Sequence, residues 1–164
     1  MARKPWLMAA PAAVLLGVGS WSYLVAPTPV GAGDRIVGED FMRVERKLGY
    51  HLYAPTWLPH NGRRGINGAR IGHFRVLYDY VYADDRPLLF VAQERRSPER
   101  DAYNRKTFVE GAEAEARIGD KRGYLVTGKT GEARLYWNEP DAAVILSSPV
   151  LSFDELVKVA QKMR

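Results

Sequence analysis

The side chains best suited to metal binding or to acid–base chemistry are the three histidines, His51, His60 and His73. No two of them stand three or four residues apart, the spacing at which one helix offers two ligands to a zinc ion. The chain also has no cysteine, which excludes disulfides, thiolate metal sites and a cysteine nucleophile. The sequence therefore predicts neither a metal nor any other cofactor.

The remaining groups that could act in catalysis have ordinary structural explanations. Asp84-Asp85 falls in a predicted hairpin turn and Asp154-Glu155 in the first turn of a predicted helix. Ser147-Ser148 has no histidine or lysine near it in the sequence, and neither GxSxG nor HExxH occurs. We therefore predict that the chain is not an enzyme, and an envelope hydrolase is the least favoured of three functional hypotheses.

Charge and glycine content point away from nucleic acid and from phosphate binding. The net charge is +5, but the 24 basic residues include Arg3 and Lys4, so the rest of the chain carries 22 basic against 19 acidic residues. Such a mixed surface lacks the segregated basic face of a nucleic-acid-binding protein. Residues 61–72, NGRRGINGARIG, lack the order of a phosphate-binding loop. We interpret them as a plain loop.

An alternating stretch suggests one aromatic face of a sheet. Residues 73–82, HFRVLYDYVY, alternate with period two, and residues 88–94 return as a hairpin partner after a turn. A core beneath a helix is the favoured interpretation of this face, and an apolar-ligand surface is the alternative. The residues predicted to form that core or ligand face are Phe74, Val76, Tyr78 and Phe90.

A proline-rich stretch follows a short helix. Residues 39–48, EDFMRVERKL, predict an amphipathic helix with an apolar stripe that ends before Gly49. In the next stretch, GYHLYAPTWLP, two prolines forbid both a helix and a central strand. We predict an extended structural motif, with Trp57 and Leu58 covering the sheet edge between Pro55 and Pro59.

The second half predicts a charged loop, three strands and a helix. Residues 95–117 mix basic and acidic residues and are interpreted as a solvated loop. Strands are predicted over residues 122–127, 133–137 and 142–147. The final helix begins after Ser152, which forms a capping box with Glu155, and it carries basic residues toward its C-terminal end.

The N-terminus predicts a membrane segment. Residues 6–26 form an uncharged stretch of 21 residues directly after Arg3 and Lys4, and about 20 residues suffice to span a bilayer. Positive charges before the stretch favour a cytoplasmic N-terminus with the remainder outside. The alternative is a cleaved signal peptide with its cleavage site after Ala32, which would leave a secreted domain.

Several short motifs, taken in their order along the chain, resemble those of a known family. The Pro55–Pro59 stretch leads to Arg122-Gly123-Tyr124, to Leu135-Tyr136-Trp137 and to the closing LSFDEL helix at residues 151–156. Over residues 39–164 this resembles a bacterial extracytoplasmic domain family of unknown function, seen in proteins associated with anti-sigma factors and in proteins similar to outer-membrane lipoprotein-sorting proteins. The resemblance implies an antiparallel sheet with helices against one face, and no catalytic residues.

Taken together, we expect an α+β fold: a curved antiparallel sheet of about five strands with two amphipathic helices on one face, preceded by one transmembrane helix. The predicted organisation is a signal anchor at 1–26, a Pro/Gly linker at 27–38 and an extracytoplasmic domain at 39–164. The favoured function is a membrane-anchored binding or sensing module that engages a protein partner or the cell envelope. The alternative is a carrier of an apolar ligand, such as a lipid, between sheet and helix.

Overall fold

The computed structural model describes residues 28–29, 38–62, 68–71 and 75–164, with side chains for 42–62 and 75–164. Within those ranges, no helix combines the length and the apolar character needed to cross a bilayer. The predicted anchor at residues 6–26, together with His73 and Phe74, lies outside the described residues.

The described chain forms one antiparallel sheet with helices. Its helices are α1 (Gly38–Leu48), α2 (Pro98–Asn104) and α3 (Phe153–Ala160), and α2 continues into a π-helical turn at Arg105–Val109. Its strands are β1 (Thr28–Pro29), β2 (Gly68–Ile71), β3 (Arg75–Val81), β4 (Pro87–Arg95), β5 (Ala114–Ile118), β6 (Lys121–Thr127), β7 (Ala133–Asn138) and β8 (Ala142–Ser148). The strand order is β1-β2-β3-β4-β8-β7-β6-β5.

The α+β class is confirmed, but the expected count of five strands is wrong. Six strands, β3 to β8, form the body of the sheet, and the short β1 and β2 extend one edge. The sixth strand is β5, whose first four residues lie in the predicted charged loop 95–117. Because β5 lies at the sheet edge and exposes Glu115 and Arg117, it lacks the apolar alternation that reveals a half-buried strand.

Helices α1 and α3 cover the same face of the sheet, which we call the α1 face. Val44 and Leu48 of α1 and Leu156 and Val159 of α3 are all buried in one cluster. The sheet residues of that cluster include Val76, Tyr78, Tyr80, Leu89, Val91, Leu125, Leu135, Trp137, Val144 and Leu146. The prediction of two amphipathic helices against one face agrees with this packing.

The opposite face of the sheet, the α2 face, is covered by the segment that we predicted to be a solvated loop. Phe108 of the π-helical turn is buried against Tyr136 with ring centroids 5.0 Å apart, in a cluster with Ala92 and Ile145. Helix α2 begins with Ser97 as its N-cap and Pro98 in its first turn. This Ser-Pro signal for a helix start was outweighed in the sequence by the high charge around it.

Two further corrections concern segments predicted to be loop and linker. Residues Gly68–Ile71, within the predicted loop 61–72, form β2 beside β3. Thr28–Pro29, within the predicted linker, pairs with Ile71 and Arg70 of β2. Both segments are too short and too rich in glycine or proline to show a strand pattern by themselves, and each is defined by the strand with which it pairs.

Candidate functional site

Residues 49–62, which we call the proline segment, follow α1. They form hydrogen bonds with α1, with β4 and with the C-terminal residues of the chain. Gly49 ends the helix in a left-handed conformation, with φ of 72°, and its N–H donates to Glu45 O at 2.6 Å. The guanidinium of Arg95 donates to Leu48 O. The end of α1 is therefore attached directly to the end of β4.

Glu45 of α1 holds the beginning of the proline segment. Its Oε1 accepts the Leu52 N–H at 2.8 Å and lies 2.6 Å from His51 Nδ1. The His51 ring also meets the Tyr53 ring edge-on, with centroids 4.7 Å apart. His51 is thus used in a surface contact between helix and segment.

The middle of the segment is fixed by a buried side chain of β4. The side-chain amide of Gln93 accepts the Tyr53 N–H at 2.9 Å and donates to Tyr53 O at 2.6 Å. It thus forms the two hydrogen bonds that the main chain of a neighbouring strand would otherwise form with Tyr53. The Tyr78 hydroxyl also donates to Tyr53 O, and Tyr50 OH donates to Gln93 O at 2.9 Å. These contacts give hydrogen-bond partners to the buried side chains of Gln93, Tyr50 and Tyr78.

The tyrosines of this network act as hydrogen-bond donors rather than as bases. Burial raises the pKa of Tyr78 well above its ordinary value, and the neighbouring Tyr80 adds to the effect. Burial, followed by the Glu94 carboxylate, likewise raises the pKa of Tyr50. Because both phenols stay protonated, the network supplies structure and no nucleophile.

The C-terminal residues of the chain pair with the next part of the segment. Ala54 N donates to Arg164 O at 2.9 Å, and Arg164 N donates to Ala54 O at 3.1 Å. Thr56 donates twice to Lys162 O, from its N–H at 2.9 Å and from its hydroxyl at 2.6 Å. Between these contacts, Pro55 and Met163 form an isolated antiparallel bridge.

The adjacent Trp57 and Leu58 have different environments. Leu58 belongs to the core of the α1 face, and Pro59 is buried beside it. Trp57 keeps 39 % of its surface exposed and is absent from that core. The prediction that both side chains cover the sheet therefore holds for Leu58, whereas a large part of the indole faces solvent.

A tight turn closes the segment. Gly62 N donates to Pro59 O at 3.0 Å, and both central residues, His60 and Asn61, have positive φ, at 55° and 57°. This is the backbone of a type I′ turn, in which asparagine is common and histidine less so. His60 Nε2 lies 2.6 Å from Glu155 Oε1, which ties the turn to the start of α3.

Glu155, His60 and Ser152 come together, but not in the order of a catalytic triad. The Ser152 hydroxyl lies 2.9 Å from Glu155 Oε2, so the carboxylate lies between the serine and the histidine. In a triad the imidazole must occupy that middle position to take the serine proton. The Ser152 N–H and hydroxyl lower the pKa of Glu155, with His60 adding to the effect, and the arrangement is the predicted capping box.

The most deeply buried charged side chain of the described residues, that of Glu94, lies on the α2 face. Glu94 is only 3 % exposed, and its Oε2 lies 3.8 Å from Arg100 Nε and 4.0 Å from Arg75 Nε. Asn104 Nδ2 donates to the other carboxylate oxygen at 3.0 Å. The cluster attaches α2 to the sheet and places two guanidinium groups and an amide beside the buried carboxylate.

Among the described residues, no group of three or more histidine, aspartate or glutamate side chains is arranged to hold a metal ion. His51 and His60 are each paired with a glutamate, on α1 and on α3 respectively. These two histidines therefore contribute to attachment of the proline segment, and the interval of nine residues between them gives no sequence signal of that role.

The structure divides the predicted ligand face. Val76 and Tyr78 are buried in the core of the α1 face. Phe90 is paired in register with Asp79, not with Tyr78, and therefore points to the opposite face, where 41 % of its surface is exposed. Tyr78 and Phe90 cannot line one cavity. Tyr78 stands opposite Val91, and because side chains alternate between the two faces along a strand, the adjacent Phe90 projects from the other face.

Comparison with models of protein families, with curated proteins and with solved structures finds no match to this chain. The resemblance to an extracytoplasmic domain family therefore stays a prediction from short motifs. The geometry of the proline segment is therefore the main structural observation that bears on function.

Proposed function

We propose that this chain is a membrane-anchored extracytoplasmic binding module, and that Trp57 is its contact with a protein partner. The observation that supports the proposal is the contrast within the proline segment. Its backbone is hydrogen-bonded to α1, to β4 and to the C-terminal residues, and the His60 side chain contacts α3, while the indole of Trp57 keeps 39 % of its surface exposed.

A rigid backbone around an exposed tryptophan suits recognition. Tryptophan is enriched among residues that contribute most to binding at protein interfaces. Since hydrogen bonds already order residues 54–56 on one side of Trp57 and the His60–Asn61 turn on the other, little further ordering is needed on association. A protein surface with an apolar pocket is the partner that this arrangement fits.

The anchor is supported by the sequence. Residues 6–26 are uncharged and long enough for one span, and Arg3 and Lys4 precede them. Strand β1 begins at Thr28, two residues after Ala26 ends the proposed span, and helix α1 follows at Gly38. In the alternative, cleavage after Ala32 would remove β1 and release the rest of the domain, with the same proline segment, as a secreted protein.

The packing favours this proposal over carriage of an apolar ligand. A ligand between the sheet and α1 or α3 would have to displace side chains such as Val76 and Leu156, which are fully buried. Tyr78, one of the aromatic residues predicted to line the site, donates to Tyr53 O and accepts from Gln93 Nε2. Opening that region would break the network that holds the proline segment.

Site-specific photo-cross-linking in native membranes tests the proposal. A photoreactive amino acid replaces Trp57 in one variant and Tyr103, which is 58 % exposed on α2, in a matched control. We expect a discrete protein adduct from position 57 only, suppressed by added wild-type chain and not by a folded Trp57→Ala chain. Equal adducts at both positions, or none at position 57, would contradict the proposed contact.

The location is tested separately. Membrane fractionation with N-terminal sequencing of the isolated protein should give an uncleaved, membrane-bound chain whose domain is accessible to protease from the outer side. A mature protein that starts at Gly33 would replace the anchor by the cleaved alternative. A domain protected from external protease would contradict the extracytoplasmic location.

A further inference from the structure

Strand β5 ends the described sheet on the side away from β1 and β2. It pairs with β6 through Ala114↔Leu125, Ala116↔Gly123 and Ile118↔Lys121. Within the described residues, no strand lies on its other side. Because main-chain groups alternate in direction along an antiparallel strand, every second residue of β5 directs its N–H and C=O away from β6.

The outward groups belong to Glu115 and Arg117. A hydrogen bond shows this direction for Arg117. Its carbonyl oxygen accepts from Nε2 of Gln161, the residue that follows α3, at 3.1 Å and therefore does not face β6. Since Glu115 stands two residues before Arg117, its N–H and C=O have the same direction. The free edge therefore offers two residues for pairing with another strand, separated by Ala116.

The charges on this edge are incompletely matched within one chain. Arg117 stands opposite Arg122 of β6 in the register, and like charges at directly opposed positions destabilise a sheet. Glu115 contacts Arg122, with its Oε2 3.5 Å from Arg122 Nε, in an exposed pair. In the described part of the chain, the Arg117 guanidinium has no ion-pair partner.

We propose that β5 pairs antiparallel with β5 of a second copy of this chain, about a twofold axis that passes beside Ala116. In that register, Glu115 of one copy stands opposite Arg117 of the other, twice. Both pairs fall at positions where the N–H and C=O groups point outward, so each pair exchanges two main-chain hydrogen bonds. Arg117 then gains the carboxylate that its own sheet does not provide.

The sequence of the edge favours a second copy over an unrelated strand. Charged edge strands usually prevent pairing, because the charges meet like charges or lose water. Here the two charges have opposite signs and are symmetric about Ala116, so the strand complements itself. Ala116 has a small side chain, which suits the closely spaced position on the axis.

Gln161 is the group that the second copy must displace. Its amide occupies the Arg117 carbonyl, and the N–H of Glu115 from the second copy would take that position. Gln161 is exposed, so its amide can turn to solvent. We therefore expect Gln161→Ala to strengthen self-association, whereas an edge that does not pair would be insensitive to it.

Charge reversal provides the main test, by sedimentation equilibrium of the full chain in mild detergent. Glu115→Arg and Arg117→Glu each turn both cross-strand pairs repulsive, and each should raise the dissociation constant of the dimer about tenfold or more. The two single variants complement each other, because arginines at 115 and 117 of one chain face glutamates at 117 and 115 of the other. Mixing them should therefore produce heterodimers, and the double variant should associate like the wild type.

Cross-linking tests the register. The chain has no cysteine, and Ala116→Cys would place two thiols opposite each other at a Cα separation of about 4.5 Å, within the range of a disulfide. Under mild oxidation we expect a covalent dimer from Ala116→Cys and much less from Lys129→Cys, an exposed control in the β6–β7 turn.

Each outcome decides the proposal. A wild-type chain that is monomeric throughout the concentration series overturns it, as does a mixture of the two reversal variants that associates no more than either alone. Cross-linking at position 116 no faster than at position 129 overturns the register. Because Trp57 lies outside β5, all of these results are independent of the proposed function.

Discussion

Pro55 and Met163 form an antiparallel bridge, so the last residues of the chain complete the support of the proline segment. Residues 162–164 also provide Lys162 O and Arg164 O as acceptors and Arg164 N as a donor. A segment near the start of the domain therefore depends on the end of the chain. That dependence can be measured directly.

Removal of residues 162–164 should loosen the proline segment. Four hydrogen bonds to the proline segment are lost, and at about 0.5–1 kcal/mol each we expect stability to fall by about 2–4 kcal/mol. The N–H bonds of Lys162 and Met163 to Val159 O and Ala160 O are lost as well. Hydrogen exchange of the Ala54 and Thr56 amides should accelerate strongly. A chain with Lys162→Ala and Arg164→Ala keeps the main-chain bonds and should behave like the wild type. Similar exchange in the truncated and wild-type chains would show that the pairing is not maintained in solution.

Substitution of the two adjacent residues Trp57 and Leu58 should have unequal effects on stability. Leu58→Ala leaves a cavity in the core of the α1 face and should lower the free energy of unfolding by about 2–4 kcal/mol. Trp57→Ala removes a half-exposed ring and should lower it by about 1–2 kcal/mol. Denaturant titration of both variants measures the difference. A larger loss at Trp57 than at Leu58 would mean that the indole acts mainly in the core.

Removing the buried charge of Glu94 should destabilise the attachment of α2. Glu94→Gln leaves Arg75 and Arg100 without their shared carboxylate, and we expect a loss of about 3 kcal/mol. The matched control is Asp101→Asn, which breaks the more exposed pair between Arg96 and Asp101 and should lower stability by less than about 1 kcal/mol. Thermal unfolding monitored by circular dichroism compares them. Equal losses would indicate that burial does not distinguish the two pairs.

Glu132 should make stability depend on pH in the acid range. Burial by itself raises the pKa of Glu132, but hydrogen bonds from Thr130 and the Arg134 guanidinium outweigh it and lower the pKa to about 2. Since the ordinary value is 4.5, the folded state binds this proton less readily than the unfolded state. The contribution of Glu132 is therefore complete above about pH 4.5 and disappears as the pH falls toward 2.

Unfolding titrations at several pH values test this dependence. The difference in stability between the wild type and Glu132→Gln should shrink steadily between pH 5 and pH 2. Thr130→Ala keeps the carboxylate and the main-chain N–H donor at residue 130 but removes the hydroxyl that donates to Glu132 Oε2, so its pH dependence should be weaker than that of the wild type. A constant difference across the range would show that Glu132 has the same pKa in both states.

The parts of the fold with local patterns were predictable. The alternation of residues 75–81, the capping box at Ser152 and the glycine after α1 all describe what the structure contains. Each depends on neighbours within a few residues. Strands β2 and β5 escaped prediction because β2 contains glycine and β5 is half charged, and both are defined by the strand beside them.

The candidate site was less accessible to prediction, for a physical reason. The sequence shows Trp57 and Leu58 as equivalent large apolar neighbours, whereas in the structure Leu58 is buried and Trp57 is 39 % exposed, in a segment held by contacts with distant parts of the chain. Gln93 carried no signal at all, since an amide within a strand usually marks an exposed position. Its role follows from Tyr53, forty residues earlier in the chain.

The order of strands has a consequence for synthesis of the chain. Strand β8 is the last to be made, yet it lies at the centre of the sheet between β4 and β7, and every one of its residues is buried. Until residue 148 has emerged, β4 has an unpaired edge whose apolar residues can attract other unfinished chains. The sheet formed by the first half of the domain therefore stays incomplete until β8 has been synthesised. A chaperone that shields strand edges would be of most use during this interval.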